Sequence, residues 1–418
     1  MAKFNEVLKK RDFFLLWIGQ IISQIGDRLG QMALIGFISS RYPGSTFRIA
    51  QIVFFTILPV FLIGPVAGVY VDRWDRRKTM YLADFLRGIL VLLIPLCFYY
   101  SKNLIPLYFL IFIIFAIGRF FIPAKLAIIP ELVKEKELPM ANSLINITGM
   151  IAAILGFGVS GLLVEHVGVK YGFYLDALSF FISGLLIFLI KKDGTFSISN
   201  LKEFGRDFIV VIRKSVLEEI KEGIIYFFKE AKIRFTALVI FILGASLGAL
   251  YVVFIVFVQK TLGSTTSDLG ILIMFLGLGL FFGSLIYGKL GLKFSNFKVI
   301  FLSLILSGIL IVVFSVGVKS FPNLRFASIL SFILGVSIAP IIVASNTIVH
   351  NVSLNKMMGK VFSSLEIAIH SGFLLFMFIS GILAEKIPEI FILMGVGLIL
   401  VILGLVSLVN YKKLLWLE

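Results

Sequence analysis

GPVAGVYVDRWDRRKTM, residues 64–80, closes one long apolar segment, turns within a few residues and opens the next. Asp72, Arg73, Asp75, Arg76, Arg77 and Lys78 crowd between two stretches that are each long enough to span a bilayer. Such a turn sits at the membrane surface, and its basic excess places it on the cytoplasmic side. Gly64 and Gly68 stand four apart, a small-residue face on which a neighbouring helix can come close in lipid. An acid at a helix end amid arginines has more than one partner to choose from, the raw material of a two-state gate. Gly68, Asp72, Arg73, Arg76 and Arg77 are therefore gating candidates; a solvated turn that only sets topology is the plainer alternative.

Composition points the same way. Of 418 residues, 59% are hydrophobic and 15% charged, with mean hydropathy +1.07, which excludes an ordinary soluble globular chain. The single cysteine, Cys97, lies in an apolar stretch, so neither a disulfide framework nor a thiolate metal site is available. The net charge of +16 is explained by orientation in a membrane rather than by nucleic acid, because the basic residues fall between spans on alternate sides. Lys9, Lys10 and Arg11 precede a hydrophobic stretch too long for a signal peptide and lacking a cleavage site, so that stretch is expected to stay as a helix.

Twelve spans of roughly 20 residues follow, the length a bilayer requires. They run near 13–39, 49–71, 79–100, 104–124, 139–164 and 171–191, then 234–260, 268–290, 297–317, 323–349, 360–384 and 388–411. With both termini inside, 28 of the 39 Lys and Arg are cytoplasmic, eight outside and three within spans, so both termini are assigned to the cytoplasm. The chain divides into an N-terminal half (1–191), a polar connection (192–233) and a C-terminal half (234–418). Leu201, Phe204, Phe208, Val211, Leu217, Ile220 and Ile224 recur at steps of three to six residues with Lys and Glu between them, which predicts a basic amphipathic helix on the inner membrane surface. The halves repeat weakly: Ser160-Gly161-Leu162-Leu163-Val164-Glu165 aligns with Ser380-Gly381-Ile382-Leu383-Ala384-Glu385, 220 positions later.

Gly68-x-x-x-Asp72-Arg73-x-x-Arg76-Arg77-Lys78 resembles the loop signature between the second and third spans of the major facilitator superfamily. Phe121-Ile122-Pro123-Ala124-Lys125, Ile129-Pro130-Glu131-Leu132-Val133 and Ala141-Asn142-Ser143-Leu144 are similar to its macrolide-efflux-type branch, as are Leu16-Trp17-x-Gly19-Gln20 and Gly359-Lys360-Val361-Phe362-Ser363. Glu222-Gly223-x-x-Tyr226 with Arg234 resembles the connection of macrolide-efflux and enterobactin-exporter relatives. Pro123-Ala124-Lys125 and Ile151-Ala152-Ala153-Ile154-Leu155 also resemble lysophospholipid transporters. The resemblance implies an all-α membrane protein with twelve transmembrane helices in two pseudo-symmetric six-helix halves. It implies secondary transport driven by a proton or other ion gradient, without a bound cofactor. One departure stands out. Drug–proton antiporters carry Gly-Pro-x-x-Gly-Gly in the fifth span, where this chain has Gly156-Phe157-Gly158-Val159-Ser160-Gly161, so the resemblance to antiporters is weakened there.

Charged side chains at membrane depth are costly and usually face a cavity or a partner. Asp27 lies halfway along the first span, and Gln20, Gln24 and Gln31 share roughly one face with it. Asp27, Gln24, Gln31, Glu366 and His370 are the substrate and proton-coupling candidates, the last two being four apart on the eleventh span. Arg28 is the alternative partner that would neutralise Asp27 as scaffold. Arg119 is assigned to the gate beside Asp72, and Asp84 with Arg87 to a structural pair. Asn142, Asn146 and Asn346 are read as hydrogen-bonders between helices, and Asp176 is set aside as too near the outer face.

His166, His350 and His370 are scattered, with no metal-ligand spacing, and no GxxxxGK[ST] phosphate loop occurs. An enzyme and an ATP-driven pump are thereby disfavoured. A channel suits the paired halves poorly, and a metal exporter like ferroportin, suggested by Gly26-Asp27-Arg28, has no histidine or cysteine in the seventh span. The expectation is a monomeric, multi-pass protein of a prokaryotic plasma membrane that exports an amphipathic small molecule by proton exchange. A lysophospholipid transporter of the same fold is the alternative.

Overall fold

The computed structural model describes residues 4–71, 74–100, 103–191, 231–291, 294–352 and 358–409. Among them no strand occurs, and fourteen α-helices are joined by short turns. They are α1 (Phe4–Leu8), α2 (Arg11–Arg41), α3 (Thr46–Leu62), α4 (Gly64–Val71), α5 (Arg76–Tyr100), α6 (Ile105–Leu132), α7 (Leu138–Val167) and α8 (Val169–Phe188). After the connection come α9 (Ala231–Leu262), α10 (Ser267–Leu290), α11 (Asn296–Ser320), α12 (Leu324–Val352), α13 (Met358–Ala384) and α14 (Glu389–Val409). The expected surface helix at 192–233 lies outside the described residues, except for its last three positions, which already belong to α9.

Ten helices among the described residues are long and apolar enough to cross a membrane. The first two expected spans differ from the rest. With 31 residues, α2 reaches about 46 Å at 1.5 Å per residue, ample for a bilayer. Gln20, Ser23, Gln24, Asp27, Arg28 and Gln31 make its middle too polar to count as an ordinary apolar span. The second expected span, 49–71, is two helices, α3 and α4, interrupted at Ile63. Pro59 and Pro65 lack backbone donors, and the ladder is carried past them by Ile63 N to Pro59 O (2.9 Å) and Ala67 N to Ile63 O (2.9 Å).

The side chains are arranged inside-out relative to a soluble protein. On α8, Leu175, Leu178, Ile182 and Leu185 are exposed while Asp176, Ser179 and Ser183 are buried. On α5, Leu82, Leu86, Ile89, Leu93 and Leu96 are exposed while Asp84 and Arg87 are buried. Only a hydrocarbon surround makes that arrangement favourable, since each helix satisfies its own backbone and turns apolar side chains to lipid.

The chain forms two compact units. The first comprises Met1–Phe37 and Gln51–Val216; the second comprises Ile38–Ala50 and Leu217–Glu418. Within the first, α5 packs on α8, α4 on α6, and α2 lies against α7 where Trp17 Nε1 donates to Thr148 Oγ1 (2.8 Å). Within the second, α11 packs on α14, α10 on α12, and α9 on α13. Each unit therefore pairs its third helical segment with its sixth, its second with its fourth and its first with its fifth. This shared scheme is the structural counterpart of the 220-residue repeat.

Small residues make those pairings close. A Cβ on Gly279 of α10 would lie 2.0 Å from the Phe332 carbonyl oxygen of α12, and one on Gly308 of α11 would lie 2.4 Å from that of Gly397 on α14. Backbones in lipid gain dispersion contacts by such approach without a hydrophobic driving force.

Residues 38–50, which the expected halves place in the first, group with the second unit. Glu385, at the end of α13, accepts from Ser45 Oγ (2.9 Å) and from the Phe47 backbone N–H (3.1 Å) at the start of α3. Thr46 Oγ1 donates to the Gly381 carbonyl (2.7 Å). A carboxylate here answers the free N–H groups of a helix N-terminus. Gly381 and Glu385 belong to the repeated hexapeptide, which gives that motif a structural purpose.

Candidate functional site

The polar face of α2 is seated between α7 and α8 by glycines on both sides. A Cβ on Gly26 would fall 1.8 Å from Ser179 Oγ, and one on Gly30 would fall 2.2 Å from Asp176 Oδ2, so α2 and α8 touch almost backbone to side chain. On the other side, a Cβ on Gly149 would lie 3.2 Å from Gln24 Oε1, and one on Gly156 would lie 3.0 Å from Arg28 Cγ. The spacing of Gly149 and Gly156 thus serves to admit α2. No proline kink is involved at that position.

Asp27 is bonded to Arg87 of α5: Nη2 donates to Oδ1 at 2.5 Å. The expected alternative partner, Arg28, is turned elsewhere. It donates to Gln31 Oε1 (3.0 Å) and lies over the Phe157 ring of α7 at 4.7 Å. Arg87 also stands 4.0 Å from Asp84 Oδ1, one turn earlier on its own helix, and 4.0 Å above the ring centroid of Phe180. The Asp84–Arg87 pair expected as purely structural is therefore one arm of a three-membered cluster. Asp84 is fully buried and receives Ser183 Oγ of α8 on its other oxygen at 2.6 Å.

Asp176 belongs to the same place. Far from being peripheral, it is 4% exposed and borders, with Asp27, Gln31 and Arg87, a narrow recess walled by Phe115, Phe173 and Phe180. Its Oδ1 has no hydrogen-bond partner. Lys125 of α6 is close enough to feel the charge of Asp27. The signal that could have found Asp176 is its spacing: Gly172, Asp176, Ser179 and Ser183 form one buried small-polar face, opposite the exposed leucines of α8.

The remaining candidates are not gathered there. Gln24 faces Gly149 of α7. Glu366 and His370 lie on α13 in the second unit, and the contact that joins them runs from the His370 ring to the Glu366 main-chain carbonyl (2.8 Å). Asp72 and Arg73 lie outside the described residues, and Gly68 is placed only as part of α4. Arg76 pairs with Glu131 of α6 and donates to the Ala127 carbonyl (3.3 Å), while Arg77 donates to the Ile190 carbonyl beyond α8 (2.5 Å). Asp75 starts α5 by accepting the Lys78 N–H (2.7 Å). Arg119 sits on α6 beside Gly118, where an added Cβ would lie 3.6 Å from Arg87. Twelve residues, about 18 Å of helix, separate Arg119 from Glu131, which anchors the loop cluster. Among the described residues no group of three His, Cys, Asp or Glu is arranged to hold a metal.

Chemically, the cluster holds three carboxylates and a guanidinium in an apolar bundle, with Arg87 placed to choose between Asp27 and Asp84. The chain is 26% identical to the uncharacterised MFS-type transporter YkuC of Bacillus subtilis (strain 168), over 85% of this chain and 81% of that one. It is 30% identical to a candidate bacilysin exporter, BacE, of the same organism, over 87% and 86%. Macrolide efflux protein A of Streptococcus pyogenes is 27% identical over 46% and 47%. Among solved structures, the peptide transporter POT in complex with sulfate superposes with TM-score 0.71 at 13% identity, covering all of both chains. A bacterial homologue of the iron transporter ferroportin, inward-facing, gives 0.68 at 13% identity over 95% and 98%. Those distant likenesses show the fold. The model of the transmembrane secretion effector family matches residues 5–413, and the chain belongs to that family of major facilitator superfamily membrane transporters.

Proposed function

We propose that this protein is a secondary active transporter that exports an amphipathic small molecule in exchange for protons, by alternating access. The observation that carries the reading is the Asp27–Arg87 ion pair inside the first helical unit, with Asp84 as a second acceptor. A charged residue at mid-bilayer costs about 2.5–3.5 kcal/mol on insertion scales, so a cluster of them is retained for a purpose. A buried pair is also a poor stabiliser compared with apolar packing. What it supplies is choice. A guanidinium between two carboxylates has two arrangements, and neutralising one acid biases it toward the other.

The efflux relatives support export, and the apolar walls of the recess support an amphipathic cargo. Both termini are assigned to the cytoplasm of a bacterial cell, in keeping with the excess of Lys and Arg on that side. Glu366 and His370 of α13 are the further proton-coupling candidates. The test is transport in proteoliposomes, comparing dyes, macrolides and lysophospholipids with and without a pH gradient. Uphill movement of an amphipathic solute that a protonophore abolishes supports the reading. Movement of lysophospholipids alone replaces the cargo, and dependence on ATP overturns the mechanism.

A further inference from the structure

Gln20, Gln24 and Arg28 follow one another at four-residue steps along one side of α2, and the last two meet α7. All three carry donors that nothing among the described residues accepts. Gln20 is 3% exposed, and its Nε2 has no hydrogen-bond partner. Gln24 makes no hydrogen bond among the described residues. Arg28 commits only Nη1, to Gln31 Oε1 at 3.0 Å, and its buried Nε has no partner.

Charge sharpens the point. Arg28 lies about 26 Å of helix from Arg11 and about 20 Å from Arg41, the two ends of α2, far from any headgroup of the bilayer itself. Lys10, Arg76, Arg87 and Lys260 each have a carboxylate partner, and Asp27, the sequence neighbour of Arg28, is taken by Arg87. Among the described residues no carboxylate pairs with Arg28. The Phe157 ring, 4.7 Å away, attracts the cation but supplies no counter-charge. A charge taken out of water without an opposite one is destabilising, and a guanidinium does not shed its proton as an amine can.

The surroundings leave a defined place for the missing charge. Phe157 stands where the fifth-span signature of drug–proton antiporters has proline, and Gly156 before it admits the Arg28 stem. The ring covers one face of the guanidinium and Gln31 occupies Nη1, so the edge formed by Nε and Nη2 is left over. Such an edge takes two oxygens of a carboxylate or phosphate side by side. Gln24, one turn earlier, offers an amide to the same anion, and Gln20 extends the row of donors toward Arg11.

We propose that Arg28 and Gln24 form the seat of an anionic group on the cargo, a carboxylate or a phosphate carried on an amphipathic body. This deepens the transporter reading and rests on it. An amino group elsewhere on the cargo does not compete for this seat.

The test uses the full chain in lipid nanodiscs, with 4-phenylbutyrate and phenyl phosphate as probes and 4-phenylbutanol as the uncharged control. The wild-type protein is expected to bind at least one of the two anions about tenfold or more tightly than the alcohol, and the tighter of the two names the group. Arg28→Gln is expected to weaken that binding roughly thirtyfold or more, as removal of one partner of a buried charge pair does. Arg28→Lys, which keeps the charge and loses the fork, should lose part of it. Without probe, Arg28→Gln should unfold at or above the wild-type temperature, because the charge it removes has no partner in the protein. The comparison of anion with alcohol needs no variant, so it stands even if a variant misfolds. Equal binding of anions and alcohol, no binding of either anion, unchanged anion affinity in Arg28→Gln, or a lower unfolding temperature in that variant would each overturn the proposal. Proteoliposomes that move other solutes uphill would then leave the transporter reading intact, whereas a wild-type protein that moves no solute uphill would remove that reading.

Discussion

Asp27 on α2 and Arg87 on α5 are joined by a 2.5 Å ion pair sixty residues apart in sequence, and Asp84 waits 4.0 Å from the same guanidinium. The partner of Asp27 considered from sequence, Arg28, does not make this bond and instead donates to Gln31. The pair ties the first helical segment to the third at the level of the recess.

Asp27→Asn keeps size and polarity but cannot hold Arg87 as an ion pair. Arg87 is then expected to settle on Asp84, and pH-driven uphill transport is lost while solute exchange partly survives. Reconstituted protein assayed with and without a pH gradient checks this. Undiminished accumulation by the variant would remove the pair from the mechanism.

Ser183→Ala deprives fully buried Asp84 of its donor. The cost is expected to be about 1–3 kcal/mol, read as a lower unfolding temperature in nanodiscs. No change in that temperature would mean that Asp84 finds another donor or is held by Arg87 alone.

The glycines separate into two kinds. Gly308→Ala places a methyl group 2.4 Å from the Gly397 carbonyl oxygen and should destabilise the α11–α14 pairing by about 1–3 kcal/mol. Gly395→Ala meets nothing within 4 Å and should be neutral or stabilising by about 0.5–1 kcal/mol. Thermal unfolding of both proteins checks the contrast, and equal effects would contradict the packing described.

Glu385→Gln weakens the contact that holds the start of α3. Because the carboxylate is solvent-exposed, the expected loss of stability is only about 1 kcal/mol or less. Hydrogen exchange is the sharper readout: the Phe47 amide should exchange faster in the variant, and an unchanged rate would show that Glu385 does not hold it.

Helices were legible because lipid rewards one periodicity and punishes every alternative, so long apolar runs announced most spans. The break at Ile63 in the second span was not legible, because it depends on where Pro59 and Pro65 leave donors missing within an otherwise apolar run. Asp27 was legible because a charge in mid-span is conspicuous. Its partner was not, because adjacency in sequence favoured Arg28, whose side chain the structure lays over Phe157. Asp176 was set aside on apparent depth. Depth counted from sequence ignores which face of α8 meets Gly26 and Gly30, and that contact is what buries the carboxyl. Glu366 and His370 are joined as four-residue spacing allows, from the His370 ring to the Glu366 main-chain carbonyl.

The loop after α4 is tested through its described members. Arg76→Gln removes the pairing with Glu131 on α6 and should slow turnover while leaving equilibrium substrate binding nearly unchanged. The shift in conformer populations is bounded by couplings of about 1–3 kcal/mol. Spin labels on α4 and α6 would report it, and weakened binding without any population shift would place Arg76 in the binding machinery instead.

Gradient-driven transport is the most direct examination of all. Proteoliposomes containing only this protein, free of ATP, are given an imposed pH gradient and an amphipathic amine at equal concentration on both sides. The amine should accumulate against its own gradient and leak back once a protonophore is added, with Asp27→Asn vesicles showing neither. Accumulation that requires ATP, or that persists after the proton gradient is collapsed, would contradict proton-coupled secondary transport.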